Sequence, residues 1–231
     1  LTPPSDIGIE VCRMLDLYTW ATPNGKKAPI LLAELGWPFE LHLINLGQGE
    51  QRRSEYLAIN PNGKIPALVD TEGSNGELVV VFESGAILEY LADKAGRLLP
   101  KEQPGRAEVL SWAYWQVGGP GPFFAQMLAF AREQPRNDDA FEKLFRESQR
   151  LIRVLDGRLR DREWIAGPYS IADIMNYPWF AAVAERQPAA LEGAEHVQRW
   201  IAAMAARPAV QKGMAVGSDL VTESPTSGTE R

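Results

Sequence analysis

The chain of 231 residues has a single cysteine, Cys12, and only two histidines, His42 and His196. One cysteine excludes an internal disulfide, a CxxC redox pair and any multi-cysteine metal site, and two histidines exclude a histidine-rich metal centre, so no metal is expected. Thiol chemistry in this chain would need a thiol from outside. Positive charge is also in short supply: 24 Lys and Arg stand against 30 Asp and Glu, a net charge of −6. That balance opposes broad contact with phosphates or anionic lipid, so neither nucleic acid nor a membrane is an expected partner. No run approaches the roughly 18 consecutive apolar residues of a membrane span, and the opening LTPPSDIGIEVCRM lacks the basic end and apolar centre of a secretory signal. A soluble, cytoplasmic protein is expected.

What is present is an ordinary globular composition, 45% apolar and 23% charged, which can bury a core in one large or two small domains. Residues 1–13 have no periodicity and read as a disordered extension carrying Cys12; the polar stretch 217–231 reads as a disordered tail. Between them the first third alternates. Asp16–Thr19 reads as a strand, Ala28–Leu35 as a helix stopped by Gly36, and Phe39–Asn45 as a second strand. After a polar segment comes NPNGKIPALVD, a turn feeding a strand. EGSNGE then connects to the strand LVVVF and the helical ESGAILEYLADK. The order βαβ then ββα is that of a thioredoxin-like α/β domain, over 14–97. From Pro104 no strand pattern survives, and helices are expected around 106–117, 123–133, 138–160, 171–184 and 195–206. The second domain, 105–216, is all α, joined by a linker near Leu98–Gly105.

Three constellations carry chemistry. Ala21-Thr22-Pro23-Asn24-Gly25-Lys26 lies between the first strand and the first helix. A helix N-terminus favours an anion such as a thiolate, and Thr22 and Asn24 add donors; plain helix capping, with Thr22 before Pro23, is the commoner use of such a segment taken alone. Lys64-Ile65-Pro66-Ala67 enters a strand; a proline there belongs at a strand start, and a cis bond would turn the Ile65 backbone outward to pair with an extended peptide. Phe82-Glu83-Ser84-Gly85 marks a strand-to-helix junction. There Ser84 can cap the helix or hold a carboxylate, and Glu83 can receive an ammonium. In the helical half, Ser170 and Asp173 read as a capping box with Tyr169 and Ile174 as its apolar staple. The aromatic run around Tyr114, Trp115, Phe123 and Phe124, interrupted by Gly118-Gly119-Pro120-Gly121-Pro122, can be core or can line an opening together with Met127. The arginines from Arg146 to Arg162 read as a solvated face paired with acids.

These motifs, in order on a thioredoxin-like domain followed by an all-helical one, resemble the cytosolic glutathione transferase family. LYTWATPNGKKAPILLAELG, LINLGQGEQRRSEYLAINPNGKIPALVD, VFESGAILEYLADK, YWQVGGPGPFFAQ and YSIADI are most similar to its bacterial Nu class. The resemblance spans about 14–210 and implies the glutathione transferase fold. It implies Thr22 and Asn24 at the sulfur of glutathione, and Gln51 by the glycyl end. Ile65, beside cis-Pro66, would pair with the cysteinyl unit, Glu83 and Ser84 would hold the γ-glutamyl end, and Lys64 would be a further carboxylate partner. It also implies a homodimer, with no tightly bound cofactor and glutathione as cosubstrate. The implied activity is glutathione-dependent reduction of a small disulfide with glutathione disulfide as product. Two alternatives stand beside it: conjugation of glutathione to an electrophile, and a non-catalytic ligand-sensing or interaction module on the same fold. The chain departs from the pattern at Met127, where similar bacterial proteins carry Asn at a position implied to touch ligand across the subunit interface.

Overall fold

A computed structural model describes residues 15–73 and 76–217. Cys12, the expected extension and the expected tail beyond Gly217 lie outside the described residues. The first part runs β1 (Leu15–Thr19), α1 (Lys27–Leu35), β2 (Glu40–Leu43), a 3-10 turn (Glu50–Arg52), α2 (Ser54–Ile59), β3 (Ala67–Asp70), β4 (Val79–Phe82) and α3 (Ser84–Ala95). The four strands form one sheet in the order β2-β1-β3-β4, with β1 parallel to β2 and antiparallel to β3, and β3 antiparallel to β4. Period-two alternation in β1 sends Leu15, Leu17 and Thr19 inward, where the leucines join Ile30, Leu31, Ile87 and Leu91 of α1 and α3 in the core. Gly36 stops α1 in the left-handed conformation, φ 70°, and its N–H returns to the Ala33 carbonyl at 3.2 Å.

The rest is helical: α4 (Gly105–Gly118), α5 (Pro120–Phe130), α6 (Asp138–Leu159), α7 (Ile171–Arg186), a 3-10 turn (Pro188–Leu191), α8 (Glu195–Ala205) and α9 (Pro208–Ala215). The glycine-proline run is a sharper joint than expected. Gly119 alone, at φ −122° and ψ −92°, separates α4 from α5, and Pro120 opens α5 three residues earlier than residue 123 because a first-turn residue needs no N–H.

Helix α7 is the axle of this half. It is apolar nearly all round and buried from Ile171 through Phe180, as a central helix must be. Its start is the expected capping box: Ser170 Oγ accepts from the Ala172 N–H at 3.3 Å, and Asp173 accepts from the Ser170 N–H at 3.1 Å. Asp173 also accepts from the Ile165 N–H and from the Trp200 indole, each at 3.0 Å. Burial pushes its carboxyl up to about 6 against the pull of these donors, which leaves it the anion they require at neutral pH. Tyr169, just before the box, reaches back to the first part: its hydroxyl donates to Glu34 at 3.0 Å. Arg207 lies 3.7 Å over the Tyr169 ring and makes two bonds, 2.8 and 3.0 Å, to the same Glu34 carboxylate.

Helix α9 lay outside the sequence expectation. PAVQKGMA is short and begins with proline, so it offers little periodicity. It packs backbone to backbone on α1, and a Cβ on Gly213 would sit 2.5 Å from the Ile30 N and Cα atoms. Helix propensity alone favours Gly213→Ala by about 0.5–1 kcal/mol, whereas overpacking against a main chain costs about 1–3 kcal/mol. The contact decides: Gly213→Ala lowers the melting temperature, and a rise on calorimetric melting would show that α9 is not seated on α1 in this way.

Candidate active site

The turn between β1 and α1 is built around Gly25. Thr19, fully buried, donates its hydroxyl to the Gly25 carbonyl at 2.8 Å. A Cβ on Gly25 would meet the Trp20 carbonyl at 2.0 Å and the Thr19 Oγ1 at 2.7 Å, so only glycine fits. Thr22 is not the cap of α1 itself; its Oγ1 accepts from the Gly25 N–H at 3.2 Å, closing the turn ahead of the helix, whose cap residue is Lys26. This uses the hydroxyl as an acceptor and leaves its hydrogen to donate.

Asn24 shows the same division of labour. Its Oδ1 accepts from the indole Nε1–H of Trp179 on α7 at 2.8 Å. Indole can only donate, so this contact fixes which end of the amide is oxygen and leaves the NH2 group without a protein acceptor among the described residues. Two side chains, five and three positions ahead of the first residue of α1, therefore keep donors in hand while their acceptors are engaged.

The other predicted residues lie on the segments between this turn and α3. Gln51 sits in the 3-10 turn, its Oε1 buried and without a hydrogen-bond partner among the described residues. Lys64 has an exposed side chain, and its carbonyl accepts from the Tyr56 hydroxyl at 2.6 Å and from the Asn60 amide at 2.7 Å. Those two bonds tie the loop down just before Ile65, whose peptide to the buried Pro66 is cis. Neither backbone group of Ile65 bonds within the described residues, so both are open to an extended partner. Glu83 is exposed at φ 71° and ψ 122°, a conformation costly for a non-glycine residue, at the junction of β4 and α3. Ser84 is buried and is the first residue of α3 rather than its cap, which is Glu83; its Oγ accepts from the Lys27 ammonium at 3.2 Å.

The expected aromatic pocket does not assemble. Phe124 and Met127 are both 0% exposed, facing inward from α5 into the core, with Phe124 edge-on to Phe180 at 5.1 Å. Met127 is thus packing, not a ligand contact at a surface. Trp115 packs edge-on to Trp112 at 5.2 Å, and Tyr114 is exposed on α4 with its hydroxyl donating to Glu89 at 3.0 Å. Phe123 and Tyr114 line two separate openings: Phe123 a groove of about 690 Å³ along α6 shared with Asp139, Lys143, Glu147 and Arg150, and Tyr114 a small crevice beside Gly85, Glu89 and Met175. The arginine face is paired as expected where Arg150 meets Glu147 at 2.6 Å and Arg146 meets Glu142 at 3.8 Å.

Sequence reasoning did not single out Lys27, Gln116 or Trp179. Each reads locally as a surface charge, a polar helix residue or a core aromatic, and no local signal marks partners 57, 89 and 155 residues away. One cluster of possible metal ligands exists among the described residues, Asp16, Glu40 and His42. There His42 is already bonded to Asp16 at 2.7 Å and stacked on Tyr18 at 4.4 Å.

A four-stranded mixed sheet with a cis-proline loop and a donor-bearing turn, backed by a helical domain, defines a glutathione transferase fold. Family models for the N-terminal and C-terminal domains of glutathione S-transferase match residues 14–93 and 122–208, and the chain belongs to that family. It is 43% identical over 204 residues to the disulfide-bond oxidoreductase YfcG of Escherichia coli K12, covering 87% of this chain and 94% of that one. It is also similar to a solved glutathione transferase family member from Pseudomonas fluorescens with two glutathione bound. That likeness has a TM-score of 0.85 and 38% identity, covering 90% of this chain and 95% of the other. A glutathione transferase from Pseudomonas putida, with one glutathione disulfide bound per subunit, matches with a TM-score of 0.84 and 37% identity over 90% and 94% of the two chains.

The turn makes a direct expectation. Gly25→Ala must displace the Trp20 carbonyl or break the Thr19 bond, at about 1–3 kcal/mol for overpacking. The midpoint of chemical denaturation falls; an unchanged midpoint would contradict the close approach.

Proposed function

We propose that this protein is a glutathione-dependent disulfide-bond oxidoreductase of the Nu class. Bound glutathione supplies the thiol that the chain does not, and Thr22 and Asn24 stabilise its thiolate. The observation that carries this reading is the pair of uncommitted donors at the N-terminal turn of α1, one held by Gly25 and the other by Trp179. A thiolate accepts hydrogen bonds and is favoured at the positive end of a helix. The glutathione thiolate attacks one sulfur of a small disulfide, forming a mixed disulfide and expelling the other half as a thiolate, which takes up a proton. A second glutathione thiolate attacks the mixed disulfide, giving glutathione disulfide and the second reduced thiol. Two electrons pass from two glutathiones to the substrate, with no protein cysteine in the path.

In the same reading the glutathione backbone pairs with Ile65 beside Pro66, with Gln51 near its glycyl end, Glu83 and Ser84 at its γ-glutamyl end, and Lys64 as an outer carboxylate partner. The folded body divides into domains at 14–97 and 105–216 and works in the cytoplasm. The name of the Escherichia coli relative supports disulfide chemistry, and the glutathione and glutathione disulfide bound to the Pseudomonas proteins support the ligand. The closure of Phe124 and Met127 into the core counts against a broad aromatic site for electrophiles.

Turnover with a small dialkyl disulfide and with an aryl halide, both with glutathione, tests the assignment. Disulfide reduction dominates; a dominant aryl halide rate would move the protein to conjugation, and no turnover of either would leave a binding module.

The donors should matter in proportion to their burial. Hydrogen bonds to charged groups are worth about 1.5–3 kcal/mol, so Thr22→Ala and Asn24→Ala each lower disulfide turnover about ten-fold to a hundred-fold, while Cys12→Ser leaves it intact. Trp179→Phe, which frees the Asn24 amide to rotate, lowers turnover in the same direction by less, at a melting temperature that separates positioning from stability. Loss of activity in Cys12→Ser with the other variants active would replace this mechanism by a protein-thiol pathway.

The protein is a homodimer in this reading, because edge strand β4 exposes Val80 and Phe82 while α4 exposes Tyr114 and Val117. Light scattering at micromolar protein gives a dimer mass, and Phe82→Glu a monomer; a monomeric wild type would refute it.

A further inference from the structure

Lys27, the first residue of α1, is 1% exposed. Its ammonium donates to Gln116 Oε1 of α4 at 2.7 Å and to Ser84 Oγ of α3 at 3.2 Å, both neutral acceptors. Among the described residues no carboxylate is ion-paired with it. An ammonium carries three hydrogens, and a buried charge without an anion is expensive, so this site is incomplete as it stands. Lys27 also dictates what Ser84 can do. A hydroxyl has one hydrogen, and with Lys27 donating into its oxygen that hydrogen has to point elsewhere; no acceptor for it exists among the described residues. Ser84 opens α3, a helix of 12 residues whose first N–H groups have no intrahelical partner.

We propose that Lys27 is a positioning residue for anion capture at Ser84: it holds the serine as a donor toward an incoming carboxylate, and the binding of that carboxylate is coupled to the charge on Lys27. The carboxylate is the one on the α-carbon of the γ-glutamyl unit, so this inference rests on the glutathione reading above. Burial pushes the Lys27 ammonium down to about 7, with the Glu83 carboxylate pulling it back up. Among the described residues Glu83, at the β4–α3 junction, is the charged group whose field reaches it, and its partners on α3 and α4, Ser84 and Gln116, are neutral. A second anion behind Ser84 favours the charged lysine. Below about pH 7 Lys27 is charged with or without ligand, and affinity is at its plateau. Above it the free protein loses the proton and must regain it on binding, so affinity falls as pH rises.

Calorimetric titration of the full chain with S-methylglutathione, which has no ionisable thiol, tests this between about pH 6 and 8.5. The wild type takes up protons on binding near pH 7.5, seen as heat that depends on buffer ionisation, and its affinity falls at least about five-fold across the range, since each unit by which binding raises a pKa is worth ten-fold. An analogue with hydrogen in place of the γ-glutamyl α-carboxylate binds more weakly and without the pH dependence. Lys27→Met flattens the profile toward that of the analogue, and Gln116→Glu, which gives the lysine a fixed anion, moves the fall to higher pH. Should Lys27→Met fail to fold, proton uptake by the wild type and the Gln116→Glu shift still decide. Wild-type binding without proton uptake, or an unchanged profile in either folded variant, overturns the role of Lys27 and leaves glutathione binding standing. No binding of S-methylglutathione at any pH overturns the glutathione reading and this inference together.

Discussion

The N-terminal end of α1 is buried against the helical domain, and its polar groups must find partners across that seam. An unpaired buried polar group costs about 1–3 kcal/mol, more if charged. Asn24 meets Trp179 of α7, Lys27 meets Gln116 of α4, and one helix length further on Glu34 meets Tyr169 and Arg207. The turn and the helix that follows it therefore carry, in order, the candidate donors, a buried cation and an ion pair to Arg207. The first part brings the candidate side chains, and the helical part fixes which of their atoms are left over. An isolated thioredoxin-like domain with this sequence would expose Asn24 and Lys27 to water and lose the distinction between engaged acceptor and waiting donor.

The ladder of the sheet depends on a second polar knot. Asp70 closes β3 fully buried, where the Tyr90 hydroxyl at 2.7 Å and the Lys94 ammonium both donate to it, and the Glu72 N–H adds a third bond at 2.9 Å. Burial alone would raise its carboxyl, and these donors outweigh burial to hold it below its ordinary value. A carboxyl depressed in the fold contributes stability that is present above the unfolded value and lost as pH falls through the folded one. The knot joins β3 to α3, and α3 carries Ser84 at its other end, so the sheet and the start of α3 are fixed to each other.

The layout of this fold is written locally. Alternation in β1, the Gly36 stop, the Ser170–Asp173 box and the loss of strand pattern after Pro104 are each carried by a few neighbouring residues, and each has its expected counterpart in the structure. The candidate donors were legible for the same reason, since Thr22 and Asn24 sit at a strand-to-helix turn. What escaped is non-local. Lys26 and Lys27 are identical in sequence terms, yet only Lys27 falls on the inward face of α1. Phe124 and Met127 belong to an apolar run that reads as core or pocket, and packing against the rest of the helical part decides for core. Helix α9 forms because α1 offers a main chain to pack on, which is a tertiary cause with no local sign.

Electrostatics on the scale of the whole molecule work against an anionic ligand, because the chain carries a net charge of −6. At physiological salt the field of exposed charges is screened within about 8 Å, so that repulsion is a weak and diffuse term. The groups that face the proposed ligand are of another kind: the first N–H groups of α3, the donors of Thr22 and Asn24, and an ammonium shut away from water behind Ser84. Screening by salt hardly reaches a buried charge, and its interactions are stronger per contact than those of an exposed pair. An acidic protein can thus select a small anion through a few desolvated donors, whereas a long polyanion would have to cross the acidic surface at every contact. The same composition that opposes broad contact with nucleic acid is compatible with a short acidic peptide, provided the positive groups are few, internal and fixed across the domain seam.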